Sequence, residues 1–148
     1  MVNKQLVFKN VQLEIEQREK RIQSAFDDLN SAILNDSKST AGDKHETGRA
    51  MIHLEQEKLS KQLNQTKLLK ETLAQIEPKQ KHSKIQFGSL VETNKGFFFL
   101  SVGLGKIKVG NDVVFCLTAT TPLGEILLNK GEGAEITFNG LLKVLSVE

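Results

Sequence analysis

From Lys4 to Asn35 the chain has neither proline nor glycine, and Phe8, Ile15, Ile22 and Leu29 recur every seven residues. Val11, Ala25 and Ala32 stand three positions after members of that series, and Phe26 and Ile33 widen it. An apolar repeat of seven on an unbroken run specifies a long helix with a seam for a partner helix. After a polar interruption a second run reaches Glu77, with Ile52, Leu59, Leu63, Leu69, Leu73 and Ile76 as its apolar line, until Pro78 stops it. Gln56 and Thr66 weaken this second seam. A short connection makes the two helices antiparallel neighbours, roughly 45 Å long at about 1.5 Å rise per residue. A two-helix rod buries little surface for its length, so the sequence predicts an arm that reaches towards something.

The connection is polar and holds two glycines, "STAGDKHETGR" from Ser39 to Arg49. Asn35-Asp36-Ser37 offers turn chemistry, Gly42 a left-handed position, and Asp43 an N-cap for the second helix with Glu46 three residues on, the spacing of a capping box. The same spacing has a second use, because carboxylates three apart on a helix share a face and can meet one divalent cation. Two carboxylates are too few to hold Mg²⁺ by themselves, so an ion there would be shared with a partner.

Composition changes after Pro78. Most of the glycines, phenylalanines and β-branched residues follow it, whereas most long charged side chains precede it. This places a helical part at 1–77 with its acidic tip near 36–48, a basic hinge at 78–84, and a β-rich domain at 85–148. In the last, "KIQFGSLVET" alternates as a strand, Asn94-Lys95-Gly96 is a turn before the buried strand Phe97–Leu100, and "VGNDVVFCLTA" gives a further turn and strand. Asn139-Gly140 marks a hairpin. In "TTPLGEILLNKGEG" Pro122 opens a short helix whose apolar side is Leu123, Ile126 and Leu127, with Gly131 beyond its end. The fold class expected is α+β: an antiparallel two-helix coiled coil, then a small β-rich domain with one short helix.

A net charge of +2 does not by itself imply non-specific nucleic-acid binding and leaves the partner open. One cysteine excludes an internal disulfide framework, and no run approaches the roughly 20 apolar residues of a membrane helix, which together fit a soluble cytoplasmic protein. Cys116 lies in an apolar run with no histidine in its half of the chain, and reads as a core residue. His45, His53 and His82 form no ligand spacing, and His45 stands out only for its place beside the acidic pair.

Taken together, "GDKHE" from Gly42 to Glu46, "FGSLVE" from Phe87 to Glu92, and "TTPLGEILLNKGEGAEITF" from Thr120 to Phe138 resemble the bacterial Gre transcript cleavage factors. The resemblance covers nearly the whole chain. It implies an FKBP-like C-terminal domain docked at the rim of the secondary channel of bacterial RNA polymerase, with the coiled coil inserted down the channel. Asp43 and Glu46 would then help hold the polymerase's second Mg²⁺ while the polymerase cleaves the 3′ end of backtracked nascent RNA. The chain itself would be no enzyme, would bind no cofactor tightly, would not contact DNA directly or a membrane, and would act as a monomer. By position, Thr121, Pro122 and Leu123 are candidates for the polymerase contact. Arg18, Arg21, Lys44 and Arg49, with Lys20 and Lys38, could contact extruded RNA through its phosphates. The chain departs from the family where Asn-Ala-x-Tyr is replaced by Thr47-Gly48-Arg49-Ala50. That departure motivates a second expectation, a channel occupant that does not support cleavage. A third, prolyl isomerisation, is disfavoured because an isomerase pocket is rich in aromatic side chains and this chain has no Trp or Tyr.

Overall fold

The computed structural model describes residues 2–36 and 42–148, and the side chains of 2–35 and 48–148. Two compact units pack separately: residues 14–68 form one, and residues 1–13 with 69–148 form the other.

Two α-helices of 33 residues, α1 (Lys4–Asp36) and α2 (Gly42–Ala74), run through both units. Within residues 14–68 they pair as an antiparallel hairpin: Gln56 Nε2 donates to Asn30 Oδ1 at 2.9 Å, and one helical turn further along α1, Ile33 shares a hollow with Ile52. The repeat of seven stays in the seam at Ile15, Ile22 and Leu29, whereas the positions between its members step forward by one residue after Arg18. Phe26 and Ile33 are half-buried, whereas Ala25 and Ala32, expected in the seam, are exposed. A helix of 3.6 residues per turn drifts about 20° per heptad, so after a few heptads the neighbouring residue faces the partner. The polar interruptions on α2 are accommodated. Thr66 is buried with its hydroxyl donating to Gln62 O at 2.8 Å, and Gln56 makes the cross-helix bond just described.

In the other unit the helix ends contribute buried Val7, Val11 and Leu73, and the turn after α2 adds Ile76. The helix α2 stops at Ala74, short of Glu77, and the chain turns through Gln75 N–H to Thr72 O and Ile76 N–H to Leu73 O. Residues 78–84 are bonded within this unit: the buried Lys4 donates through Nζ to Gln80 O, and Lys84 bridges to Gly131. The Lys4 backbone N–H also donates to Glu148 Oε2 at 2.8 Å.

The sheet has six strands, β1 (Leu90–Thr93), β2 (Gly96–Leu100), β3 (Gly105–Val109), β4 (Asp112–Leu117), β5 (Glu135–Thr137) and β6 (Leu141–Val147), in the order β3-β4-β2-β1-β6-β5. All pairs are antiparallel except β2 with β4, where Phe97 stands opposite Val114 and Leu100 opposite Leu117. A short helix, α3 (Pro122–Leu127), lies between β4 and β5. The Asn139-Gly140 turn takes positive φ at both residues, 51° and 107°, as the β5–β6 hairpin requires. One sheet face carries Val91, Phe98 and Leu100, which cluster with Ile85, Leu127, Ile136, Leu142 and Val144. The alternate residues Leu90, Phe99, Val114 and Cys116 are buried as well, so the central strands are covered on both faces.

His82 reports on this packing. Its Nδ1 meets Ser89 Oγ at 2.7 Å, and the same oxygen accepts from Gln86 N–H at 3.0 Å. Burial first, then the charge of Lys4, lowers the His82 pKa below its ordinary 6.5. The unfolded chain therefore takes up this proton before the folded one, so stability is unaffected above that value and lost as pH falls through it. The urea midpoint of wild type is expected to drop between about pH 7.5 and about pH 5.5. His82→Gln should flatten that slope, and an unchanged slope would contradict the assignment.

Candidate functional site

The helix α2 begins at Gly42, one residue before Asp43, so Asp43 lies within its first turn and is not the cap residue that the sequence suggested. Asp43 and Glu46 stand three apart on one helix, a spacing that puts both on one face. Their side chains, like that of Lys44, lie outside the described residues, as does the connection Ser37–Ala41 with Lys38. Among the described residues no group of three His, Cys, Asp or Glu could hold a metal ion. Two carboxylates by themselves are fewer ligands than Mg²⁺ takes.

The described surface of α2 resumes at Gly48, where a Cβ would meet nothing within 4 Å. Arg49 follows, exposed, and lines a hollow with Ile33, Ile52 and His53. His53 Nδ1 lies 3.2 Å from Gln56 Oε1, and Gln56 Nε2 donates to Asn30. The Gln56–Asn30 bond crosses from α2 to α1, and the exposed His53 ring lies beside Gln56 on α2. His53 carried no recognisable ligand spacing in the sequence. The readable signal was Gln56 one turn further along the same face, at a seam position where a lone amide needs a partner.

Arg18 and Arg21 lie on α1 and do not line this hollow. Arg18 is half-buried towards the seam. Arg21 Nη2 sits 3.8 Å from Glu14 Oε1 with its side chain 64% exposed, a surface pair that contributes little. Arg49 shares its hollow with the apolar side chains of Ile33 and Ile52.

In the other unit, Thr121 is the N-cap of α3: its Oγ1 accepts from Gly124 N–H at 3.1 Å and donates to Thr118 O at 2.9 Å. Both hydrogen-bonding roles of this hydroxyl are used within the fold. Leu123 is half-buried against the core, and the buried face of α3 consists of Gly124 and Leu127. Ile126, expected on the apolar side, is 36% exposed. Pro122 and Ile126 are thus the apolar side chains this helix presents to solvent. Cys116 is buried, which pushes its thiol pKa up to about 12 and removes it from consideration as a nucleophile. Among the described residues no helix is long and apolar enough to cross a membrane.

Comparison of the chain with family models, with curated proteins and with solved structures gives no match.

Proposed function

We propose that this chain is a transcription factor of the Gre type, which enters the secondary channel of bacterial RNA polymerase and stimulates the polymerase's own cleavage of backtracked RNA. One observation carries the reading. Two helices of 33 residues pair as a hairpin, and the short segment that joins them leads into Asp43 and Glu46. A separate mixed sheet domain follows, which we take to be of the FKBP-like type implied by the resemblance of its sequence.

The chemistry suits such a division of labour. In two-metal hydrolysis of a phosphodiester one ion activates the attacking water and the other stabilises the leaving oxygen. A weakly held second ion limits that reaction. Two carboxylates on one face of a helix complete the ion's coordination without forming a site of their own, and the polymerase supplies the rest. Docking falls to the exposed side of α3, where Pro122 is available and Thr121 holds the helix start in place. The protein would act in the cytoplasm, as a monomer, bound to polymerase.

A backtracked complex incubated with the protein and Mg²⁺ should release short RNA fragments from the 3′ end. The alternative, a channel occupant that regulates polymerase without supporting cleavage, is favoured by Thr47-Gly48-Arg49-Ala50, and predicts binding with no fragment at any Mg²⁺ concentration. Absence of polymerase binding would overturn both.

A further inference from the structure

We propose that the outer side of α2, away from its seam with α1, is a docking surface for an acidic amphipathic helix of another protein, apolar at both ends and carrying carboxylates between them. The inference goes beyond the proposed function and does not depend on it.

Met51, Leu54, Lys58, Lys61, Gln65 and Leu68 follow one another at alternating spacings of three and four, the order of a second seam on the same helix. The first seam, at Ile52, Gln56 and Leu59, lies against α1, and at 3.6 residues per turn the two lines fall on broadly opposite sides. Met51, Leu54 and Leu68 are 68%, 66% and 61% exposed, so nothing in the described chain covers them. Exposed apolar residues scattered singly need no explanation, whereas in one line they form a surface. Lys58 and Lys61 stand at its middle, exposed and with no ion-pair partner among the described residues. Around them Leu54, Glu57, Ser60 and Asn64 complete a hollow of about 510 Å³, room for the side chains of a facing helix.

The order of the line selects its occupant. Met51 and Leu68 share one midpoint with Lys58 and Lys61, so antiparallel pairing with a second copy would set each lysine against a lysine. A lipid surface takes lysines at the borders of an apolar face, and these lie within it. A phosphate backbone has no use for methionine and leucine at the two ends. Carboxylates on a facing helix meet the lysines, while apolar residues at its ends meet Met51, Leu54 and Leu68. A partner apolar throughout would cover two charges without a counter-charge, which sets the specificity. The line spans about 26 Å at about 1.5 Å rise per residue, so a helix of about 18 residues covers it.

The test titrates the full ¹⁵N-labelled chain with two designed helical peptides of about 18 residues. Both carry leucine opposite Met51, Leu54 and Leu68, and one carries glutamate, the other lysine, opposite Lys58 and Lys61. The glutamate peptide should bind with resonance shifts on the outer line, and the lysine peptide at least about tenfold more weakly. Lys58→Glu combined with Lys61→Glu should reverse that order. Leu54→Gln and Leu68→Gln, changes at exposed positions, should each weaken the glutamate peptide about fivefold. Equal binding of the two peptides, or shifts centred on Ile52 and Leu59 in the α1 seam, would overturn the proposal. A wild-type chain that dimerises in sedimentation, and loses the dimer on Leu54→Gln, would overturn it in favour of a second copy. A photo-crosslinking residue at position 60 of the full chain, in cell extract, should capture a segment whose sequence has the apolar–acidic–apolar order. Capture of RNA, or only of segments without that order, would overturn the choice of partner.

Discussion

A chain carrying Asp43→Asn and Glu46→Gln is expected to bind RNA polymerase as tightly as wild type and to release 3′ RNA fragments at least about 100-fold more slowly. The amides keep the size and hydrogen-bonding capacity of the side chains and remove the two negative charges that an ion would need. Both positions lie in the first turns of α2, where acidic residues favour the helix by about 0.3–1 kcal/mol each, so the helix content of the variant is to be compared by circular dichroism. The role assigned here also predicts partial rescue by excess Mg²⁺, because a site that has lost ligands still fills at higher ion concentration. Single variants should fall between wild type and the pair. A double variant that cleaves as fast as wild type would remove the tip from the mechanism.

Gly124→Ala is expected to destabilise the sheet-containing unit by about 3 kcal/mol, read as a large drop in the urea midpoint. A Cβ at this position would lie 2.1 Å from Thr118 O, 2.8 Å from Thr121 Oγ1 and 3.1 Å from Ala119 Cα. These atoms form the cap that starts α3, and Leu127, wholly buried, ties the same helix to the core. The methyl group can enter only by opening the cap or lifting the helix from that core. Gly131→Ala is the control: its Cβ would meet Ser83 O at 3.5 Å, an ordinary contact, and the change should stay within about 0.5 kcal/mol. If the two variants unfold at the same midpoint, the close packing at α3 does not limit stability. Because Pro122 sits on this helix, Gly124→Ala should also weaken polymerase binding under the proposed function.

The long helices were legible because their signal is local and repeated. Phe8, Ile15, Ile22 and Leu29 state the period, and Pro78 punctuates the second run. The Asn139-Gly140 hairpin and the Pro122 start of α3 were legible for the same reason, since positive φ and the first turn of a helix are demands on particular residue types, whereas Thr121 as the cap was not read. The inward face of α3 was not. Ile126 fits the apolar side by spacing, yet the close approach of the cap loop to Gly124 brings that glycine inward and leaves Ile126 partly in solvent. Gly105–Val109 was not read as a strand, since lysines at alternate positions give it little apolar signal until it pairs with β4.

His53 shows a further limit. Nothing in its neighbours along the chain marks it, and the Gln56 amide beside it on its own helix is bonded to Asn30 of the other helix.

The sequence alone determined which segments are helix or turn, the α+β class, and the place of Asp43 and Glu46 at the start of the second helix, because these follow from period and from residue-specific backbone demands. Tertiary structure decided the parallel pairing of β2 with β4, the step of the seam from Ala25 to Phe26, and the assembly of the Arg49–His53 hollow across two helices. Each of these depends on residues distant in the chain meeting in space, where geometry and the need to satisfy buried polar groups select one arrangement among several that the local pattern allows.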